Sequence, residues 1–306
     1  MKCQFKFSGA PHAHPPQILT IVDKPKHEQT ALQRSLSLQE RAGGHVHLAA
    51  FAYHPMYDQK DVFAVSQRRA IRRSIIRERT EWLRDQVRDA QGLFKDLSLE
   101  VVWTKDIAEW VTGRVAEQGD ELVVKSINQS QTLLHTPLDW QLLRLCPTPL
   151  LLCTATPWRR KPKVLAAVDL RVDDRAHEAL NQKVLASAHE MAALYDGEVH
   201  CVYSVDVANT LSELNIPDPR GFKREAVVRA QERLAELTAP YKIPKERLHV
   251  PMGKVGHAVN RLSAKLKADL MVMGTTARRG MAALVVGNSA EKVLMKARCD
   301  VLALKP

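Results

Sequence analysis

The chain has five cysteines, Cys3, Cys146, Cys153, Cys201 and Cys299, but no C-x-x-C pair. Without such spacing there is no basis for a disulfide framework or a zinc knuckle, and most of the five sit in apolar, strand-like runs, as buried thiols of a reducing compartment do. No apolar stretch is long enough to span a bilayer. The opening MKCQFKFSGAPHAHPP carries charge but lacks the continuous apolar core of a secretory signal. These absences point to the cytoplasm. A Walker A loop, a nucleophile elbow and an SGGxDS-type loop are missing as well, so no dedicated catalyst is expected. The pairs His45/His47 and His12/His14 have no carboxylate or thiolate company at a ligand spacing, which favours satisfied histidines over a metal site.

Acidic residues are in the minority, 34 against 45 Lys+Arg, giving a net charge of +11. Such a balance raises the question of nucleic acid or an acidic surface as partner. The excess is uneven: residues up to Trp158 carry 20 basic and 17 acidic side chains, and those from Arg159 onward 25 and 17. The densest basic run, Arg68 to Arg79, reads as the solvated face of a helix, with an acidic partner as the alternative. No RNP or zinc-finger pattern is present, so no specific nucleic acid is expected as partner, and without a spanning run no membrane is expected either.

At 306 residues and 45% hydrophobic composition the chain can fill two cores, and it repeats itself. ILTIVDKP from Ile18 and VLAAVDLR from Val164 are both apolar strands ending in aspartate, and Asp23 and Asp169 lie 146 residues apart. GHVHLAAF from Gly44 is echoed by GEVHCVYS from Gly197, ELVVKS from Glu121 by DLMVMGT from Asp269, and each half closes on a cysteine followed by apolar residues. A period of about 150 residues is a duplicated domain rather than a solenoid. Within each half, strands alternate with helices, an order that builds a parallel sheet covered on both faces. The expected helices include Glu28 to Arg41 and Asp174 to Tyr195, closed by Gly43-Gly44 and Gly197 as C-caps. A third, Ser66 to Ala90, has Ile71, Ile75, Trp82 and Val87 as its core face. A fourth, Lys223 to Leu237, carries Val227, Ala230, Leu234 and Leu237.

The most informative stretch is LMVMGTTARRGMAALVVGNSAEKVL, Leu270 to Leu294. A short apolar strand ends at Gly274, a residue open to either sign of φ, and Gly280 and Gly287 punctuate the loop. Asn288 and Ser289 are good N-cap types, so the amides after Gly287 and the positive helix end are expected to face an anion such as phosphate. The other reading is a well-capped strand-to-helix turn without a ligand. Asp169 likewise reads either as a cap of the next turn or as a ligand contact.

The order of these residues resembles the nucleotide motif of the universal stress protein family, Gly-x-x-Gly, nine residues, Gly-Ser/Thr. Gly274 and Gly287 fall on its first and third glycines, Arg278 and Gly280 fit its habit, Ala277 replaces the second glycine and Asn288 the Ser or Thr. The resemblance runs twice over from about Gln17 to Lys305 and is to the tandem-domain type. It implies two doubly wound, Rossmann-like α/β domains that form an intramolecular pseudo-dimer through Thr148 to Cys153 and Val301 to Lys305. Residues 1–16 are then a flexible extension, 17–156 the first domain and 162–306 the second. Nucleotide-binding roles carry over to Asp169, Ser204, Met273, Gly274, Ala277, Arg278, Gly280, Gly287, Asn288 and Ser289, with ATP and Mg2+ as cofactors. In the first half the segment Ser126 to Trp140 has no glycine, Pro137 removes a donor and Asp139 adds negative charge, so no nucleotide is expected there. The resemblance implies a cytoplasmic stress-response regulator that binds ATP, with at most slow hydrolysis and with a second copy or a regulatory protein as partner. The alternative is a nucleotide-free interaction or carrier protein that holds an apolar, lipid-like ligand or a protein.

Overall fold

Apolar strand runs bounded by aspartate and glycine assemble into one ten-stranded sheet in the computed structural model, which describes residues 16–59, 61–91, 96–127, 137–172, 174–207, 218–275 and 288–306. In the first half the elements are β1 (Gln17–Val22), α1 (Thr30–Ala42), β2 (His45–Ala52), α2 (Val65–Gln91), β3 (Leu97–Trp103), α3 (Ile107–Gln118), β4 (Leu122–Ser126), α4 (Pro137–Leu145) and β5 (Leu150–Cys153). The second half runs β6 (Lys163–Ala167), α5 (Arg175–Leu194), β7 (Glu198–Val202), α6 (Pro219–Thr238), β8 (Leu248–His249), α7 (Val255–Leu266), β9 (Leu270–Gly274), α8 (Asn288–Leu294) and β10 (Asp300–Leu304).

The strand order β3-β2-β1-β4-β5-β10-β9-β6-β7-β8 is two copies of one parallel arrangement placed back to back. They join where β10 pairs antiparallel with β5, Val301 opposite Leu152, Leu302 opposite Leu151 and Ala303 opposite Leu150. This is the pseudo-dimer seam that the tandem resemblance implies. The central strands read as unbroken apolar runs because both faces are covered: β5, β9 and β10 are buried nearly throughout. Two cores result, one on each face. Leu48, Leu122, Leu151, Leu185 and Leu302 lie in one, and Leu19, Leu152, Leu165, Met271 and Val301 in the other.

The seam is reinforced by a buried polar cluster. Asp300, with no solvent exposure, accepts hydrogen bonds from Thr154 N at 2.7 Å, Thr154 Oγ1 at 2.9 Å and Trp158 Nε1 at 2.8 Å. Arg34 of α1 completes it with an ion pair at 2.8 Å and lies over the Trp158 ring. Burial pushes the Asp300 carboxyl above its usual range, against the pull of Arg34 and these donors.

Several sequence expectations need correction. On α2 the buried side chains are Leu83 and Val87, while Ile71, Ile75 and Trp82 are only half-buried, because the helix meets the sheet chiefly through its C-terminal half. On α6 Ala230, Leu234 and Thr238 are buried, and Val227 and Leu237 are partly exposed. Helix α1 closes on Gly43 at φ 73°, as a glycine C-cap does, but α5 does not use Gly197 in this way. Asp196 takes the left-handed conformation at φ 51°. Gly197 is required for another reason: a Cβ there would stand 2.4 Å from the Pro162 carbonyl oxygen. The first half repeats the arrangement at Gly44, whose Cβ would lie 2.2 Å from Pro16 O at φ 98°. In both halves the following residue donates to that same proline carbonyl, His45 N at 2.9 Å and Glu198 N at 3.0 Å. Gly44→Ala is therefore expected to destabilise the protein by about 2–4 kcal/mol, adding a backbone clash to left-handed strain. Gly43→Ala, with open space around its Cβ position but a glycine-only backbone at φ 73° and ψ −162°, should cost about 1–3 kcal/mol from strain alone. Denaturant unfolding of the two variants measures the difference.

Candidate functional site

Strand register places the candidate site. Val164 of β6 lies opposite Leu270 of β9, and Ile18 of β1 opposite Leu122 of β4, so Asp169 and Gly274 in the second half correspond to Asp23 and Ser126 in the first. Chain connections leave β6 toward β7 on one side and β9 on the other, making the carboxyl ends of β6 and β9 a topological switch point, where open α/β sheets bind ligands.

Asp169 follows β6 and is fixed by α5: its N–H donates to Asn181 Oδ1 at 3.0 Å, and Asn181 Nδ2 donates to its carbonyl at 2.8 Å. Its carboxylate is gripped by Arg171, whose N and Nε donate to Oδ1 at 3.0 and 2.9 Å and whose second guanidinium nitrogen donates to Oδ2 at 2.6 Å. Burial works to raise the Asp169 pKa, but the Arg171 hydrogen bonds and charge outweigh it and hold the carboxyl below its usual range. Asp169 is thus an ionised acceptor at neutral pH. Neither Arg171 nor Asn181 was among the site residues expected from the sequence; for Arg171 the available signal was Asp-x-Arg directly after a strand.

Gly274 ends β9 without a positive φ, so conformational freedom is not what calls for glycine there. A Cβ at this position would meet Leu180 Cδ2 of α5 at 2.5 Å, which makes Gly274 a packing glycine. Met273 is 5% exposed with its side chain in the core, leaving only its main chain to face a ligand. Ser204 is buried too, and its hydroxyl donates to Gly253 O at 2.8 Å, across to the turn after β8. Asn288 and Ser289 lie inside the first turn of α8 rather than before it, so their N–H groups are among those at the helix start. Ala277, Arg278, Gly280 and Gly287 lie outside the described residues.

Beside Asp169, a cavity of about 300 Å³ opens between the ends of β6 and β7 and helix α6. Leu170, Tyr203, Val205, Phe222 and Ala230 supply apolar walls, Glu225, Arg229 and Arg233 line it as well, and Arg233 donates to Leu170 O at 3.1 Å. The apolar lining with few polar groups is of the kind that receives a flat ring or an acyl chain. Among the described residues no group of three or more His, Cys, Asp or Glu side chains could hold a metal ion, and no helix is long and apolar enough to cross a membrane.

At the equivalent corner of the first half the described side chains bond to one another. Ser126 Oγ donates to Asp23 and accepts from Ala31 N at 2.7 Å. Lys125 Nζ forms an ion pair with Asp139 in the first turn of α4 at 2.7 Å and donates to Ser126 O at 2.9 Å. Burial raises the Asp23 carboxyl above its usual range, opposed by Ser126 and Lys125. Where the second half has a glycine under Leu180, the first has a hydroxyl tying strand, aspartate and helix together.

A duplicated sheet of two doubly wound α/β halves, each with an aspartate after its first strand, defines a tandem α/β protein. The family model of the Universal stress protein family matches residues 162–305, the second half. The chain is 32% identical over 297 residues to Universal stress protein E of Escherichia coli (strain K12), covering 94% of this chain and 93% of that protein. It belongs to the universal stress protein family, a stress-response family whose members are generally not enzymes. Among solved structures, a protein of unknown function from Pseudomonas aeruginosa PAO1 superposes with a TM-score of 0.72 at 27% identity, covering 96% of this chain and 93% of that one. A universal stress protein from Archaeoglobus fulgidus shares the fold at a TM-score of 0.60 and 12% identity, over 94% of this chain and 98% of that one.

Proposed function

We propose that the second half binds an adenine nucleotide, ATP with Mg2+, and that occupancy changes the contacts this cytoplasmic stress regulator makes with a protein partner or a second copy. The observation that carries the reading is the placement of Asp169 and Gly274 on either side of the switch point, next to a cavity with apolar walls. An ionised Asp169 is an acceptor suited to an exocyclic amino group, and the N–H groups at the start of α8 are suited to phosphate oxygens. Mg2+ would arrive on the triphosphate, since the described residues offer no cluster to hold it. The first half, with its corner tied together by Lys125, Asp139, Ser126 and Asp23, serves as the structural partner.

Equilibrium binding of labelled ATP tests the reading. Wild type should bind saturably, and Gly287→Asp, which adds a carboxylate to the segment whose sequence resembles a phosphate loop, should reduce affinity more than 100-fold, or by about 3 kcal/mol. Unchanged affinity in Gly287→Asp would remove the site. The apolar walls of the cavity favour a second reading, a nucleotide-free carrier of an apolar ligand. It predicts a non-nucleotide passenger in native mass spectra of gently purified protein and no saturable ATP binding.

A further inference from the structure

Helix α2 stands apart from its twin in the second half. Over residues 65–80 it carries Arg68, Arg69, Arg72, Arg73, Arg77 and Arg79 against Glu78 alone, and no side chain before Leu83 is fully buried. Helix α6, the corresponding helix, interleaves its basic residues with Glu225, Glu232 and Glu236 and pairs Arg229 with Glu225 at 3.0 Å. No ion pair joins Arg69, Arg72, Arg73 or Arg77 to a carboxylate among the described residues, whereas Arg88, near the other end, is paired with Asp85. Arg69, Arg73 and Arg77 recur at every fourth residue and are exposed, so they form a ridge along one side of the helix. All of the cations are arginine, whose planar fork engages phosphate oxygens two at a time.

Exposed apolar residues gather at the same corner. Met56 (41% exposed), Val62 (66%) and Val65 (53%) occupy the short segment leading into α2, although exposed large apolar side chains are few elsewhere in the described chain. The segment is held against the helix. Arg68 lies over the Tyr57 ring and its guanidinium reaches Tyr57 O at 3.5 Å, Arg72 lies over Trp103, and Tyr57 packs edge-on against Trp103. The corner therefore presents a fixed apolar tip beside an unneutralised basic ridge. A phosphate-bearing surface with an apolar layer beneath its charges satisfies both features. A nucleic acid would satisfy only the ridge and leave Val62 and Val65 in water.

We propose that this corner, residues 56–59 and 61–77, docks the chain onto an anionic lipid surface, with the arginine ridge on the headgroup phosphates and Val62 and Val65 at the acyl boundary. The contact is peripheral and reversible, and it is independent of the nucleotide site at the far end of the sheet.

Full-length protein is sedimented with large unilamellar vesicles of equal parts phosphatidylglycerol and phosphatidylcholine, and with vesicles of phosphatidylcholine alone. Salt-sensitive binding to the anionic vesicles only is expected. The triple variant Arg69→Gln/Arg73→Gln/Arg77→Gln should bind roughly 100-fold more weakly, each basic residue at an anionic surface contributing about fivefold. Val62→Ser/Val65→Ser should bind several-fold more weakly at unchanged charge. The altered side chains are exposed, and a thermal melt matching wild type confirms that both variants are folded. Failure of wild type to bind anionic vesicles overturns the proposal, as does equal binding by the triple variant. Loss in the triple variant with no loss in the valine variant also overturns it, as does binding to a poly(U) oligonucleotide by fluorescence anisotropy in place of vesicles, which would mark the ridge as a nucleic-acid surface.

Discussion

Asp300→Ala should destabilise the protein by about 3–5 kcal/mol, the largest single-residue effect expected here. The carboxylate has no solvent exposure, and its removal strips three donors, Thr154 N, Thr154 Oγ1 and Trp158 Nε1, of their acceptor. It also leaves the Arg34 guanidinium, itself about 90% buried, without its counter-ion. An uncompensated buried charge is the expensive part, which a double replacement isolates. Asp300→Asn/Arg34→Met should recover much of the loss, since it removes the charge together with its partner. Urea unfolding of the single and double variants reads both. A cost below about 1 kcal/mol for Asp300→Ala would mean that water or a shifted side chain neutralises Arg34, and that the seam is held by the β5·β10 pairing alone.

Acid should weaken the fold through His47 well before the carboxylates protonate. Burial first, then the positive charge of Arg114 and of His45, lowers the His47 pKa from 6.5 to about 4. Glu100 stands 3.4 Å from Nε2 but is itself 47% exposed, so water screens the help it gives. Because the folded pKa lies below the unfolded one, the native state prefers neutral imidazole. The stabilisation is complete above pH 6.5 and is lost progressively as pH falls from 6.5 toward 4, by at most about 3 kcal/mol. His200 and His249, each lowered first by burial, act in the same direction. Raised carboxylates such as Asp23 and Asp120, both lifted by burial, act in the opposite direction. The informative quantity is therefore the difference between wild type and His47→Gln. Denaturation midpoints of the two should diverge most near neutral pH and converge toward pH 4, and a constant difference would contradict the assignment.

The duplication was legible because it is written in local pattern. Strands such as ILTIVDKP and VLAAVDLR announce their burial by composition, and the register confirms that Asp23 and Asp169 are equivalents. The closing strands met as the tandem resemblance implied. Features that depend on a distant neighbour were not legible. Gly274 and Gly197 look like punctuation in the sequence, yet one makes room for Leu180 and the other for the Pro162 carbonyl. Asp300 looks like an ordinary residue before a strand until Arg34, hundreds of residues away in sequence, arrives beside it. On α2 the helical period was right, but which turns touch the sheet is set by how far the strands extend beneath it, so Leu83 rather than Ile71 became core. At the candidate site Asp169 could be named from its place after a strand, whereas its Arg171 clasp arises from how the chain turns back after β6.

The antiparallel junction of β5 with β10 also decides how the molecule can grow. Both terminal strands are consumed at the middle, so the ladder is left with unlike ends: β8 offers only Leu248 and His249, while β3 runs from Leu97 to Trp103. Among the described residues the longer regular rail for a further chain is the β3 flank, next to the negative charge of Glu100. Two copies meeting edge to edge through that flank would pair isologously and stop there, giving closed pairs in place of open-ended fibres.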